Sequence, residues 1–199
     1  MSYRLFSSLL AALSLGLSVS SASAEMPARP AETASRGVYE NIELGFKLCT
    51  NHILQRGHLA PADDAMLRLL DVKLLTEVPV EIDAMSNRVF PVNRVFALLG
   101  GNEGNVYVTT AKDRLLCQVI VADSLDALAG RARFVESLQK ISVWTYHAEH
   151  SGVVDGIRRD ELSIAGGRLV TLIQGPEAVL NEGRGVQATV SVAIVPPAS

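Results

Sequence analysis

Two cysteines constrain this chain more than any other feature, because each lies in a stretch with a different apolar period. In residues 114–122, Leu115, Cys117, Val119 and Val121 recur at every second position. That is the repeat of a β-strand, so all four point to one face. On the opposite face Leu116 and Ile120 flank the polar Gln118, which predicts full cover on one side and partial cover on the other. Cys49 instead belongs to a stripe at steps of four and three, formed by Val38, Ile42, Phe46, Cys49 and Ile53. This is the signature of an amphipathic helix. Both thiols are therefore expected to face the core, one from a helix and one from a strand.

Whether they bond depends on the compartment. The chain opens with Arg4, then an apolar run from Leu5 to Val19 broken only by serines and a glycine, then Ala22-Ser23-Ala24 before Glu25. A charge, an apolar run and small residues at alternate positions make a secretory signal peptide over residues 1–24, cleaved between Ala24 and Glu25. The run is shorter than the ~20 apolar residues of a membrane span, and a retained N-terminal anchor is the other reading of it. No cysteine follows the cleavage position, which argues against a lipid-anchored N-terminus. The expected address is periplasmic or secreted, with no membrane span in the mature protein. In an oxidising compartment two cysteines suggest one disulfide, Cys49–Cys117, worth roughly 4 kcal/mol in the chain-entropy model. Two buried free thiols or a metal pair are the alternatives, and two cysteines without histidines at set spacing make a poor zinc site.

Removing a leader that contains Arg4 and no acid takes the formal net charge from −3 to −4. A mildly acidic chain with scattered charges has no electrostatic reason to bind nucleic acid or anionic lipid. The pair Arg158-Arg159 runs straight into Asp160-Glu161 and is no basic patch.

Residues 25–36, with Pro27 and Pro30 and no apolar period, read as a flexible lead-in, and residues 37–199 as a single domain. The first helix is expected to stop at Gly57. Pro61, Asp63 and Asp64 open a short second helix that ends before Val78-Pro79. Pro79 limits Val78 to Ile82 to an edge strand at best, and residues 83–93 read as a loop. Strands over 94–99, 106–110 and 114–122 form an antiparallel meander, joined by the glycine-rich turn 100–105 and by Lys112-Asp113. Asp123 and Ser124 cap a helix whose apolar positions are Leu125, Leu128, Ala132, Val135, Leu138 and Ile141.

A second β block follows. It has a weakly alternating strand over 143–150, a turn bounded by Gly152 and Gly156, and a hairpin at Gly166-Gly167. Its last strand alternates strictly from Val186 to Ile194 and ends at Pro196-Pro197. The sum is one α+β domain, a largely antiparallel sheet of about six strands with helices packed on one face.

Chemistry is harder to find. His147-Ala148-Glu149-His150 invites a metal reading, but on a strand positions three apart point to opposite faces, and Trp144, Thr145 and Tyr146 favour a strand. No metal or other cofactor is therefore expected. His52 and His58 fall at a helix end and its exit, where one can cap the last carbonyls. There is no G-x-S-x-G elbow, and Ser151 beside His150 is adjacency rather than a triad. Gly100-Gly101-Asn102-Glu103-Gly104 lacks the order of a phosphate loop and precedes a strand. No catalytic residue is assigned. Trp144, Tyr146 and His150 would share one strand face and are the candidate binding surface; burial of the aromatics under the long helix is the competing expectation.

The leader, the helix segment Gly45-Phe46-Lys47-Leu48-Cys49 and the strand Leu116-Cys117-Gln118-Val119-Ile120-Val121 together resemble a group of small uncharacterised exported bacterial proteins. In that group the first helix and a Cys-x-Val strand carry paired cysteines. The resemblance spans about a third of the chain by a short motif. It implies a disulfide and a periplasmic address, and it implies no activity. The sequence thus leads to an exported, non-enzymatic protein that binds an envelope partner. The alternatives are a small-ligand domain with a pocket near Trp144 and Tyr146, and a hydrolase using a histidine with Glu149 or Asp155.

Overall fold

A computed structural model describes residues 36–55, 64–99, 104–164 and 168–195. The leader, the lead-in apart from Arg36, Gly57, His58, Pro61, most of the turn 100–105, Gly166-Gly167 and Pro196-Pro197 lie outside these residues.

Among the described residues nine strands form one sheet: β1 (Val72–Leu74), β2 (Val92–Leu98), β3 (Asn105–Ala111), β4 (Leu116–Ala122), β5 (Trp144–Tyr146), β6 (Gly152–Val154), β7 (Ile157–Ile164), β8 (Leu169–Pro176) and β9 (Val186–Ile194). Their order is β1-β2-β3-β4-β9-β8-β7-β5, with β6 also on β7, and every pairing is antiparallel. The count exceeds the six expected partly because β1 and β6 have three residues each, too few for alternation to register. The helices are α1 (Val38–Leu54), α2 (Asp64–Leu69), α3 (Val80–Val89) and α4 (Ala127–Gln139).

The two cysteine stretches meet as their periods require. On β4, Cys117, Val119 and Val121 are fully buried under α1, whose Ile42, Phe46, Cys49 and Ile53 face them. Cys49 and Cys117 are disulfide-bonded across 68 residues, with Cα atoms 5.2 Å apart and neither residue exposed. Close approach here depends on small residues. A Cβ on Gly45 would sit 2.9 Å from Val119 Cγ1, and one on Gly130 of α4 would sit 2.9 Å from Val38 Cγ1. Thus α1 is held against both the sheet and α4.

The helices depart from expectation in three places. First, α2 ends at Leu69, and Val72–Leu74 pairs with β2 as an edge strand. Second, residues 80–89 form α3 where an edge strand and a loop were expected. Pro79 precedes the first helical residue, where a missing N–H costs nothing, and its carbonyl accepts the Asp83 N–H at 2.9 Å. Buried Ile82 and half-buried Met85 pack with Val95 and Ile120 on the second face of the sheet. Helices therefore cover both faces rather than the one expected, and the second face of β4 is covered more fully than its pattern implied: Gln118 and Ile120 are both buried, Ile120 against α3.

Third, α4 is rotated from its expected stripe. Of the expected stripe, Leu125 and Ile141 fall outside the helix, Leu128 and Val135 are half-buried and Ala132 is exposed, while Ala127, Gly130, Arg131, Phe134 and Leu138 are buried. Phe134 meets Phe46 edge-on at 5.1 Å between ring centroids. Closeness to α1, which only Gly130 permits, sets the rotation, and Arg131 is carried inward with it.

Candidate functional site

The β5–β7 end of the sheet differs from its centre. Along β7, Arg158, Asp160 and Leu162 alternate toward the face that carries α1 and α4; Arg159, Glu161 and Ser163 point to the other. Polar groups gather on both faces at this end.

On the helix-bearing face a cleft of about 360 Å3 opens between α4 and the sheet rim. Arg131 and Glu136 line it from α4, Tyr146, Arg158 and Asp160 from β5 and β7, and Glu177 from the turn after β8. Asp160 is only 3% exposed and is well held. Its Oδ1 accepts from Tyr146 Oη at 3.1 Å and from Arg158 Nε and Nη2 at 3.2 and 3.1 Å. Arg131 is 7% exposed, and its Nη1 donates to the Pro176 carbonyl at 3.0 Å. Burial pushes its guanidinium down from the usual value, against the pull of Asp160. A Cβ on Gly175 would lie 2.6 Å from Arg131 Nη1, so the side chain takes space that only glycine leaves there.

On the opposite face lies a polar turn. The strand ends at Tyr146, and Ala148–His150 is a single 3-10 turn. The His150 N–H donates to the His147 carbonyl at 3.1 Å, so the backbone folds back on itself here instead of running on as a strand. The geometric argument against His147 and His150 sharing a site therefore fails, and their rings stack with centroids 5.8 Å apart. His147 Nδ1 lies 3.3 Å from Glu149 Oε1, and His147 Nε2 lies 2.8 Å from Ser163 Oγ. His150 Nδ1 lies 3.0 Å from Glu161 Oε1, whose other oxygen accepts from Arg159 at 2.9 Å. Ser151 Oγ fastens the turn to β7: it donates to the His147 carbonyl and accepts from the Glu161 N–H. Burial raises the Glu161 carboxyl, but hydrogen bonds from Arg159 and His150 outweigh it and hold the group below the usual range. The Glu149 carboxyl is likewise held low, by its own backbone N–H and by His147.

The three residues of the expected surface are not brought together. Trp144 lies tilted over Phe46 at 5.7 Å and belongs to the core margin. Tyr146 rims the cleft, and His150 lies on the other face. Asp155 is the first residue of the two-residue turn between β6 and β7, with Gly156 the second; both have positive φ, as this hairpin requires. His52 is buried in the last turn of α1.

Reading the sequence missed Arg131 and Ser163, and took Glu161 only for an acid following the Arg158-Arg159 pair. Arg131 had a signal, since it falls in step with Ala127, Phe134 and Leu138, a base on an apolar helical face. Glu161 and Ser163 had none, because only the pairing of β7 with β5 brings them under the histidines.

Fold and site define a class no narrower than this: an antiparallel sheet tied by a disulfide to the helix across it, with polar sites at one end. No family model, curated protein or solved structure matches the chain. Among the described residues no helix is long and apolar enough to cross a membrane.

Proposed function

We propose that this chain is an exported, non-enzymatic binding protein and that the cleft beside Tyr146 takes a small zwitterion of the amino-acid or short-peptide class. The observation that carries this reading is Arg131. A buried guanidinium is costly unless its donors are matched, and among the described residues its one hydrogen bond goes to the Pro176 carbonyl. Asp160 is already occupied by Arg158 and Tyr146, which leaves Arg131 with donor capacity at the cleft. A planar guanidinium matches a carboxylate in two-point geometry. The cleft also presents Glu177, and Glu136 paired with Lys140 at 2.7 Å, so the ammonium of a zwitterion would find its carboxylate partner at Glu177. The export half of the reading rests on the leader pattern in residues 1–24 and agrees with a buried, oxidised cysteine pair.

Calorimetry against the standard amino acids, short peptides and simple carboxylates tests the cleft. The reading expects saturable one-to-one binding of a zwitterion, weakened tenfold or more in Arg131→Gln. Binding indifferent to Arg131, or none across the panel, contradicts it. Fractionation of the producing cell tests the address, with the protein expected outside the cytoplasm and its two thiols unavailable to alkylation.

A further inference from the structure

We propose that the turn from His147 to His150 is a site for a borderline divalent transition ion such as Zn2+, held by His147, Glu149 and His150, with Ser163 and Glu161 positioning the two imidazoles. One donor atom from each of His147, Glu149 and His150 lies within 4.8 Å of the other two. Two ligands about 2.1 Å from a tetrahedral ion are themselves about 3.4 Å apart. His147 Nδ1 and Glu149 Oε1 are 3.3 Å apart, so that pair already has the required spacing. The third donor needs a small side-chain adjustment, and His150, 56% exposed, has solvent-side room for one.

Each imidazole is also held by one nitrogen. Ser163 Oγ engages His147 Nε2, which leaves Nδ1 facing Glu149. Glu161 engages His150 Nδ1, which leaves Nε2 for an ion. A carboxylate or hydroxyl on the far nitrogen is how histidine ligands are usually oriented and made more basic. Glu161 is fixed in turn by Arg159 and by the Ser151 bridge, so the support belongs to β7 rather than to a mobile surface chain. Two imidazoles and one carboxylate select borderline ions over Ca2+ and Mg2+, which take oxygen ligands. Three protein donors leave a fourth position for water, and exposed Glu149 and His150 keep it open to solvent. The site lies on the face opposite the cleft and stands independently of it.

The test uses tag-free, chelator-washed protein titrated with Zn2+ by calorimetry and with Co2+ by visible absorption, which reports the coordination geometry. One ion per chain is expected, with Kd below about 0.1 mM. His147→Ala and His150→Ala should each weaken it tenfold or more. Glu161→Gln should weaken it about tenfold through His150 while leaving the stoichiometry unchanged. Ca2+ and Mg2+ should not compete. Should a histidine variant lose its fold by circular dichroism, Glu149→Gln at a mostly exposed position carries the test, through a changed Co2+ spectrum and weaker Zn2+ binding. Absence of one-to-one binding, or binding equal in His147→Ala, His150→Ala and the parent, reduces the cluster to hydrogen-bonded histidines and carboxylates and overturns the proposal.

Discussion

The centre of the sheet and its β5–β7 end follow opposite rules. Around β4 the contacts are apolar and close: Cys117, Val119 and Val121 are wholly buried, glycines let the helices approach, and a disulfide ties α1 to the strand. At the β5–β7 end the strands facing solvent are short and charged groups line both faces. One region is built for burial and tolerates little change. The other holds polar groups in hydrogen-bonded pairs, from buried Arg131 and Asp160 to exposed Glu149 and His150. Close apolar packing and clustered polar groups are thereby separated along the sheet, with buried Arg131 on the polar side of that division.

Substitutions can break this contrast. The largest effect is expected from removing the staple: Cys49→Ala with Cys117→Ala should cost roughly 4 kcal/mol in urea unfolding. A loss near zero would show that α1 is held by packing alone. Phe46→Ala should cost about 3 kcal/mol, since the ring meets both Phe134 and Trp144. Gly130→Ala sets a gain in helix propensity against a collision with Val38, and a net loss of about 1 kcal/mol is expected in thermal melts. Arg131→Met should change stability by no more than about 1 kcal/mol, because Asp160 keeps Arg158 and Tyr146, yet it should abolish zwitterion binding. If the variant unfolds, the cleft is structural and the contrast fails at its most informative point. Glu149→Gln, at an exposed position, should move stability by less than about 0.5 kcal/mol.

What the sequence revealed follows the same division. The cysteine stripes were legible because burial on a single face leaves a period, and Val38 to Ile53 and Leu115 to Val121 met as those periods demanded. The last strand was legible for the same reason. By contrast, α3 was hidden because Pro79 opens a helix as readily as it weakens a strand, and α4 was read about one step out of rotation. Glycine and arginine carry no apolar signal, so the face holding Gly130 and Arg131 lost to a more hydrophobic one that turned out half exposed. At the histidine turn the error was one of period. A strand that stops at Tyr146 and a 3-10 turn that follows it place His147 and His150 side by side. Their partners Glu161 and Ser163 come from strand pairing, which no local pattern records.

Amide hydrogen exchange with the disulfide intact and then reduced tests the central contrast most directly. In the oxidised protein the slowest amides should be those of Leu116–Ala122 and of the α1 turns around Cys49, with residues 144–161 exchanging earlier. Reduction should speed the slowest set about a thousandfold, the equivalent of roughly 4 kcal/mol, and barely change residues 144–161. Uniform protection along the chain, or a slow set that ignores reduction, would contradict a fold stapled at its centre and open at one end.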